Sequence, residues 1–234
     1  MKNERKTEIK EEWLEEQINL KNKICQDSLD CSKIRYIAGV DVAYTKIGTQ
    51  EYGCCSIVII DYNTLNVVQK IGHTGKIDVE YHPGFLSFRE LPLILETVKQ
   101  IEITPDIFIF DGNGILHPKR MGIATHASFY LNKPCIGVAK SFFRSEENLS
   151  FQMPENYIGA STNIINSNNE ILGITLRTRE NCRPIFVSIG NYMSLENAKA
   201  IIMNCINKES RIPIPTRLAD IETHKLRKEF LETK

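Results

Sequence analysis

The sequence lacks long hydrophobic runs and an excess of charge of either sign. No stretch approaches the roughly 18 uninterrupted apolar residues that a membrane-spanning helix requires. Residues 1–12 are almost wholly polar, without the apolar core of a secretory signal. Lys+Arg and Asp+Glu both number 29, so composition neither favours nor excludes a nucleic-acid partner, because a local basic track would be enough. We expect no membrane association and an intracellular location, in the cytoplasm, or in the nucleus if the source is eukaryotic.

Paired cysteine motifs are also missing. The chain has 7 cysteines, an odd number, and no two of them are spaced as CxxC. This pattern favours free thiols in a reducing compartment and disfavours both a disulfide framework and a zinc site. The cysteines are Cys25, Cys31, Cys54, Cys55, Cys135, Cys182 and Cys205.

The 234 residues contain no internal repeat, Pro/Ser-rich linker or low-complexity tract. We therefore predict a single domain over 1–234, with an amphipathic N-terminal helix at about 9–25 and a core at about 34–234. Strands are predicted at Tyr36–Tyr44, Gly53–Asp61, Leu65–Gly72, Asp106–Asp111, Pro134–Lys140, Ile171–Thr178 and Pro184–Ile189. Helices are predicted at about Phe88–Glu102, Met121–Leu131, Ser194–Ile206 and Thr216–Thr233, and Ser145–Asn169 is a polar stretch.

The order of these elements predicts an α/β fold. Three strands with short connections read as an antiparallel meander. The strand–helix–strand unit that follows predicts a right-handed parallel crossover. Three antiparallel strands followed by parallel strands, with helices on both faces of one mixed sheet, is the ribonuclease H-like layout.

Two aspartates are placed unusually. Asp41 interrupts an apolar strand, and Asp111 ends the apolar run Ile107–Phe110. An ionised carboxylate beside a buried strand is unfavourable unless something neutralises it. A divalent cation shared by both aspartates would do so, and Mg²⁺ prefers such oxygen ligands. The alternative is that each is a turn or cap residue.

The segment Tyr81–Glu90 presents an aromatic residue on a rigid turn, Tyr81–Gly84, and then an acidic residue near the start of a predicted helix. For Tyr81 and Phe85, each taken alone, the residue type favours the alternative of core packing. Glu90 could be a helix N-terminal carboxylate favoured by the helix dipole. His82 and His126 are interpreted as structural or substrate-adjacent.

Seven blocks of the sequence together resemble the endonuclease V family, in the order and spacing of that family, from about Tyr36 to Asp220. One such block alone would be weak evidence, whereas seven in register are specific. The blocks are GVDVAY (Gly39–Tyr44), YHPGFLSFRE (Tyr81–Glu90), DGNGILHPKRMGIATH (Asp111–His126), IGVAKS (Ile136–Ser141), GITLRTR (Gly173–Arg179), FVSIGNYMSLENA (Phe186–Ala198) and RIPIPTRLAD (Arg211–Asp220).

The resemblance implies a ribonuclease H-like nuclease that uses Mg²⁺, for which Mn²⁺ can substitute. It implies hydrolysis of the second phosphodiester bond 3′ to inosine in RNA or DNA, single- or double-stranded, leaving 3′-hydroxyl and 5′-phosphate ends. The implied metal ligands are Asp41, Glu90, Asp111 and Asp220; Lys140 near the scissile phosphate and His117 beside the metal site complete the implied catalytic set. The implied substrate-binding residues are Tyr81, Pro83, Gly84, Leu86, Gly112, Asn113 and Gly122.

Residue chemistry is consistent with these roles. Lys140 would offset charge on the phosphate oxygens. Backbone groups around the implied glycines and Leu86 could distinguish hypoxanthine from adenine in a tight pocket. Each residue has an ordinary alternative: His117 as a hydrogen-bonding residue at a strand end, Lys140 as a surface lysine, and Asp220 as a helix N-terminal carboxylate.

The sequence departs from the family pattern at a few positions. Asn113 and Asp220 stand where bacterial members usually have His, and both match animal members, which suggests inosine in RNA as the substrate. Asn191 and Tyr192 replace a usual His-Arg pair, which puts phosphate contact and substrate range in doubt. Two other functions stay open: a non-cleaving binder of deaminated nucleic acid, and a different ribonuclease H-like structure-specific nuclease. Protein partners cannot be inferred.

Overall fold

The structure, a computed structural model, describes residues 2–26, 29–142 and 148–233, with the backbone alone for residues 2–9. The five α-helices within these ranges are α1 (Lys2–Lys21), α2 (Leu86–Val98), α3 (Ile123–Leu131), α4 (Leu195–Asn204) and α5 (Ile214–Glu232). The strands are β1 (Tyr36–Ile47), β2 (Gln50–Asp61), β3 (Val67–Ile77), β4 (Ile107–Asp111), β5 (Cys135–Ala139), β6 (Ser161–Ile165), β7 (Ile171–Leu176) and β8 (Ile185–Ile189).

All eight strands form one sheet in the order β3-β2-β1-β4-β5-β8-β7-β6. The meander β1–β3 is antiparallel. Strands β4 and β5 then add in parallel beside β1. The predicted α/β mixed sheet of ribonuclease H-like layout is confirmed. Strands β8, β7 and β6 extend it further as antiparallel neighbours.

Helices cover both faces of the sheet, because successive side chains of a strand point to opposite sides. On β4, Ile107 and Ile109 belong to a core cluster with α4, whereas Phe108 and Phe110 belong to a second cluster with α2 and α3. Helix α5 packs so closely against β1 that a Cβ at Gly39 would meet the Pro215 backbone at 2.1 Å. Gly39 therefore permits this helix–sheet contact.

Several boundaries differ from the predictions. Strands β1 and β2 extend beyond Tyr44 and Gly53 to a two-residue turn, where Gly48 has a φ of +59°. Such tight hairpin turns favour glycine. Strand β3 begins at Val67 rather than Leu65, since Leu65 adopts a left-handed φ of 60°. Helix α1 begins and ends earlier than the predicted 9–25.

Strand β6 was not predicted. It lies inside the stretch interpreted as polar, the first part of which falls outside the described residues. Of its five residues only Ile164 is buried. An edge strand with one buried residue leaves almost no alternation for a sequence pattern to detect. No described helix combines the length and apolarity needed to cross a bilayer.

Candidate active site

Asp41 and Asp111 lie on neighbouring parallel strands and face the same side of the sheet. The last paired register of β1 and β4 is Val40↔Phe110, so the two aspartates follow one step later on each strand. Even spacing from Ile109 places Asp111 on the α5 face. Asp41 is on that face too, where its Oδ2 accepts a hydrogen bond from Thr223 Oγ1 at 2.9 Å. The predicted convergence of these two carboxylates is therefore present.

Glu90 projects from helix α2, on the opposite face of the sheet, toward Asp41 and Asp111. Strand β4 ends at Asp111 while β1 continues to Ile47, so the sheet is open beside Asp41. A small cavity of about 70 Å³ occupies this opening, a volume that holds roughly two water molecules. Its lining residues are Val40, Asp41, Val42, Glu90, Ile94, Phe110 and Asp111.

The carboxylates of this acidic cavity repel one another. Burial, together with the charges of Asp41 and Asp111, raises the pKa of Glu90 to about 7, against the opposing effects of Tyr44 and Arg89. Burial likewise raises the pKa of Asp41, with contributions from Asp111 and Asp220. A cation in the cavity would relieve this repulsion, which is the electrostatic condition that a metal site requires.

Lys140 and Asp220 lie beside the acidic cavity. Lys140 Nζ contacts Asp111 Oδ2 at 2.6 Å and Asp220 Oδ2 at 3.5 Å. Asp220 is also 3.4 Å from His224 Nε2. Within the ranges that the structure describes, no three His, Cys, Asp or Glu side chains are arranged so that they could hold a metal ion without moving. An ion bound between Asp111 and Asp220 would take the position of the Lys140 ammonium. The oxygen donors suit a hard divalent cation.

Two positioning residues of this cavity escaped the sequence analysis. Thr223 follows Asp220 by three residues on α5, and i,i+3 spacing on a helix places both on one face. Tyr44, the last residue of the GVDVAY block, donates to Glu90 Oε1 at 2.5 Å. Arg89 lies over the Tyr44 ring at 4.5 Å. The spacing from Asp220 could have indicated Thr223, whereas the Tyr44 contact depends on how α2 crosses the sheet.

A second cavity, of about 130 Å³, adjoins the first. Asp111 lines the acidic cavity and the next residue, Gly112, lines this one, which we call the base cavity. An added Cβ at Gly122 would meet the backbone oxygen of Asn113 at 2.3 Å, so the wall has no room for a side chain there. The base cavity is lined by Tyr81, Gly84, Leu86, Ser87, Gly112, Asn113, His117, Met121, Gly122 and Ile123.

Two helix N-termini meet in the wall of the base cavity. Leu86 and Ser87 begin α2, and Gly122 and Ile123 are the N-cap and first residue of α3. The first backbone N–H groups of a helix have no partner within the helix and carry partial positive charge. The cavity therefore suits a ligand with an oxygen acceptor.

Six of the seven predicted substrate-binding residues line the base cavity; Pro83 does not. Tyr81 is 58% exposed, and Asn113 Oδ1 is buried without a hydrogen-bond partner. His117, predicted beside the metal, lines this cavity and not the acidic one. Burial lowers the pKa of His117 to about 4, with help from Lys119 and Arg120. Sequence reasoning missed Ser87, Met121 and Ile123.

Helix α1 holds the turn that carries Tyr81. The Trp13 ring stacks on Phe88 with centroids 4.8 Å apart, and it also contacts Phe85. Gln17, fully buried, donates from Nε2 to the Gly84 oxygen at 2.9 Å. Helix α1, which is not part of the sheet, thus fixes the Tyr81–Gly84 turn in position.

Known proteins share this architecture. The family described as Endonuclease V matches residues 18–221. The endonuclease V of Bacillus thuringiensis is 56% identical over 207 residues, covering 88% of this chain and 87% of the relative. The chain belongs to the endonuclease V family.

Solved endonuclease V structures superpose on nearly the whole chain. The Bacillus subtilis enzyme has a TM-score of 0.92 at 46% identity, covering 96% of this chain and 94% of that one. The Ciona intestinalis enzyme was solved in complex with a 24mer DNA containing an inosine followed by a ribo-adenosine. It has a TM-score of 0.82 at 28% identity, covering 95% and 99% of the two chains. As a member of the endonuclease V family, the chain is an endonuclease.

Proposed function

We propose that this endonuclease is metal-dependent and hydrolyses the second phosphodiester bond 3′ to inosine, leaving 3′-hydroxyl and 5′-phosphate ends. The observation that carries the proposal is the adjacency of the two cavities. The acidic cavity, which is lined by carboxylates, lies next to the base cavity, which is lined by backbone atoms and glycines. Asp111 lines the first cavity and the following residue, Gly112, lines the second. One pocket would perform the chemistry and the other would select the base.

The acidic cavity supports the metal assignment. Asp41, Asp111 and Glu90 would hold Mg²⁺ or Mn²⁺ from within the cavity, with Asp220 at its edge. When bound, such an ion polarises the phosphate and lowers the pKa of an attacking water. Lys140, displaced from Asp111, would place its ammonium against the phosphate oxygens as negative charge accumulates there.

The base cavity supports inosine as the target. Hypoxanthine carries an oxygen acceptor and a ring N–H donor where adenine carries an amino group and a ring nitrogen lone pair. The N–H groups of the first residues of α2, and that of Ile123 in α3, would donate to that oxygen. The N–H groups of Gly122 and Ala124 already donate to backbone oxygens. Asn113 Oδ1, buried and unpartnered, would accept from the ring N–H. Tyr81 would fill the space that the flipped nucleotide leaves in the strand.

The proposal covers inosine in RNA and in DNA. Asn113 and Asp220 match animal members, which suggests RNA. Against this, the chain is 56% identical to the Bacillus thuringiensis protein but 28% identical to the Ciona intestinalis one. Two positions therefore do not place the chain with the animal enzymes.

Product analysis on one oligonucleotide with a single inosine tests the proposal. We expect cleavage at the second bond 3′ to inosine when Mg²⁺ is present, and none with a chelator. An adenosine strand of the same sequence is the control, and matched RNA and DNA versions rank the two substrates. Equal cutting of inosine and adenosine strands, or cutting in the chelator, would refute the proposal.

A further inference from the structure

Three helices meet in a hydrogen-bonded chain behind the base cavity. Ser87 of α2, which lines that cavity, lies 2.7 Å by its Oγ from His126 Nδ1 of α3. His126 Nε2 lies 2.8 Å from Glu16 Oε1 of α1. The Tyr130 hydroxyl donates to the same Glu16 oxygen at 2.6 Å. We call Glu16, His126 and Ser87 the relay.

The order of donors in the relay follows from Glu16. A carboxylate that receives two hydrogen bonds on one oxygen acts as an acceptor, so the Nε2 of His126 must donate its proton. If the ring is neutral, its Nδ1 then carries a lone pair and can only accept. The Ser87 hydroxyl must therefore donate its single proton to Nδ1.

Burial keeps the ring neutral. His126 is 1% exposed, and burial holds its pKa below the ordinary value despite the opposing effect of Glu16. The ring is fixed by an edge contact with Phe88 at 4.9 Å and a tilted contact with Tyr130 at 5.5 Å. The relay thus has a fixed geometry as well as a fixed proton order.

We propose that Ser87 is a specificity-determining residue which, with its proton committed to His126, offers only lone pairs to the bound base. The inference rests on the proposed function. An oxygen that only accepts matches the ring N–H of hypoxanthine and opposes the ring nitrogen lone pair of adenine. Asn113 Oδ1 is a second acceptor in the same wall, so the two oxygens would share the ring N–H. Glu16 and His126 are positioning residues, since they act through Ser87.

The first test measures the protonation of the His126 ring directly and needs no cleavage assay. In ¹⁵N NMR spectra of the full chain at neutral pH, we expect His126 to be neutral with its proton on Nε2. A proton on Nδ1, or a charged ring, would overturn the proposal, because Ser87 would then present its proton to the base.

The second test measures the ratio of cleavage rates on matched inosine and adenosine strands. In Ser87→Ala we expect this ratio to fall about fivefold, the effect of one net hydrogen bond. Ser128→Ala is the matched control, since its buried hydroxyl bonds the Thr125 backbone of the same helix α3 that carries His126. An unchanged ratio in Ser87→Ala would refute the specificity role.

Glu16, whose side chain is 35% exposed, provides a variant that should fold. Glu16→Ala frees His126 to move its proton to Nδ1, so the ratio should fall, whereas Glu16→Gln keeps an acceptor oxygen and should stay near wild type. Equal ratios in both variants and wild type would refute the positioning role. A wild-type enzyme without inosine preference refutes the proposed function instead, so the two failures are distinguishable.

Discussion

The acidic cavity and the base cavity adjoin each other but are built from different chemistry. The first is defined by charged side chains that project from β1, β4 and α2. The second is defined largely by glycines, apolar side chains and the first turns of α2 and α3. A substitution can therefore remove the chemistry of the first without moving the backbone. The selectivity of the second depends on backbone spacing and on a few polar atoms in its wall.

The largest effect should come from Asp111→Asn. Removing one carboxylate from the acidic cavity should lower the cleavage rate by about a thousandfold or more, since a catalytic metal contributes several kcal/mol. The free energy of unfolding should change by less than about 1 kcal/mol, because the ion pair with Lys140 is partly exposed. Cleavage kinetics and urea unfolding measure the two effects.

Asp30→Asn is the matched control for this change. Asp30 is an exposed aspartate with its own lysine partner, Lys33, and lines neither cavity. The Asp30→Asn variant should cleave the inosine strand at the wild-type rate. Full activity in Asp111→Asn would remove the metal assignment.

The next effect concerns stability and pH. Glu90 has its pKa raised from 4.5 to about 7 in the folded chain. At Glu90 the folded state thus binds more protons than the unfolded state between these values, so the contribution of this residue to stability is highest below about pH 4.5 and is lost as pH rises through 7. The loss should reach about 3 kcal/mol without metal. Urea unfolding in chelator at pH 5 and pH 8 measures it.

Glu90→Gln sharpens this test. The variant should match wild type at pH 5 and be more stable at pH 8, since its side chain cannot ionise. Added Mg²⁺ should stabilise wild type more at pH 8 than at pH 5. The free energy of unfolding of metal-free wild type should fall relative to that of the variant between pH 5 and pH 8. A rise instead would contradict the electrostatics of the acidic cavity.

The smallest of these three effects should come from Tyr81→Ala, at the edge of the base cavity. Loss of the ring should lower the preference for inosine over adenosine strands by about tenfold, the contribution of one stacking contact. The Mg²⁺ concentration for half-maximal rate should not move. Tyr157→Ala removes a ring that is 54% exposed and lines neither cavity, and it should leave both quantities unchanged. A shifted Mg²⁺ requirement in Tyr81→Ala would show that the cavities are not separate.

The sequence revealed the acidic cavity better than the base cavity. Asp41 and Asp111 are conspicuous because carboxylates rarely interrupt or end apolar strands without a reason. Glu90 and Asp220 were assigned by the family resemblance, since neither has an unusual sequence setting of its own. Their assignment as metal ligands stays a prediction.

Other parts depended on tertiary geometry. Met121 and Ile123 are ordinary apolar residues that become cavity wall because α3 begins beside Gly112. Ser87 and His126 are 39 residues apart, and no local pattern indicates that they bond. The antiparallel meander β1–β3 and the parallel crossover from β4 to β5 were predicted from the order of the elements and their short connections. The single-domain assignment also stays a prediction.

Binding of inosine and adenosine strands by Asp111→Asn tests the division of labour between the cavities most directly. With Mg²⁺ present, the variant should leave both strands uncut and still bind the inosine strand more tightly, by the same ratio of Kd values as wild type measured in chelator. A variant that loses cleavage and inosine preference together would contradict the account, because base selection would then depend on the acidic cavity.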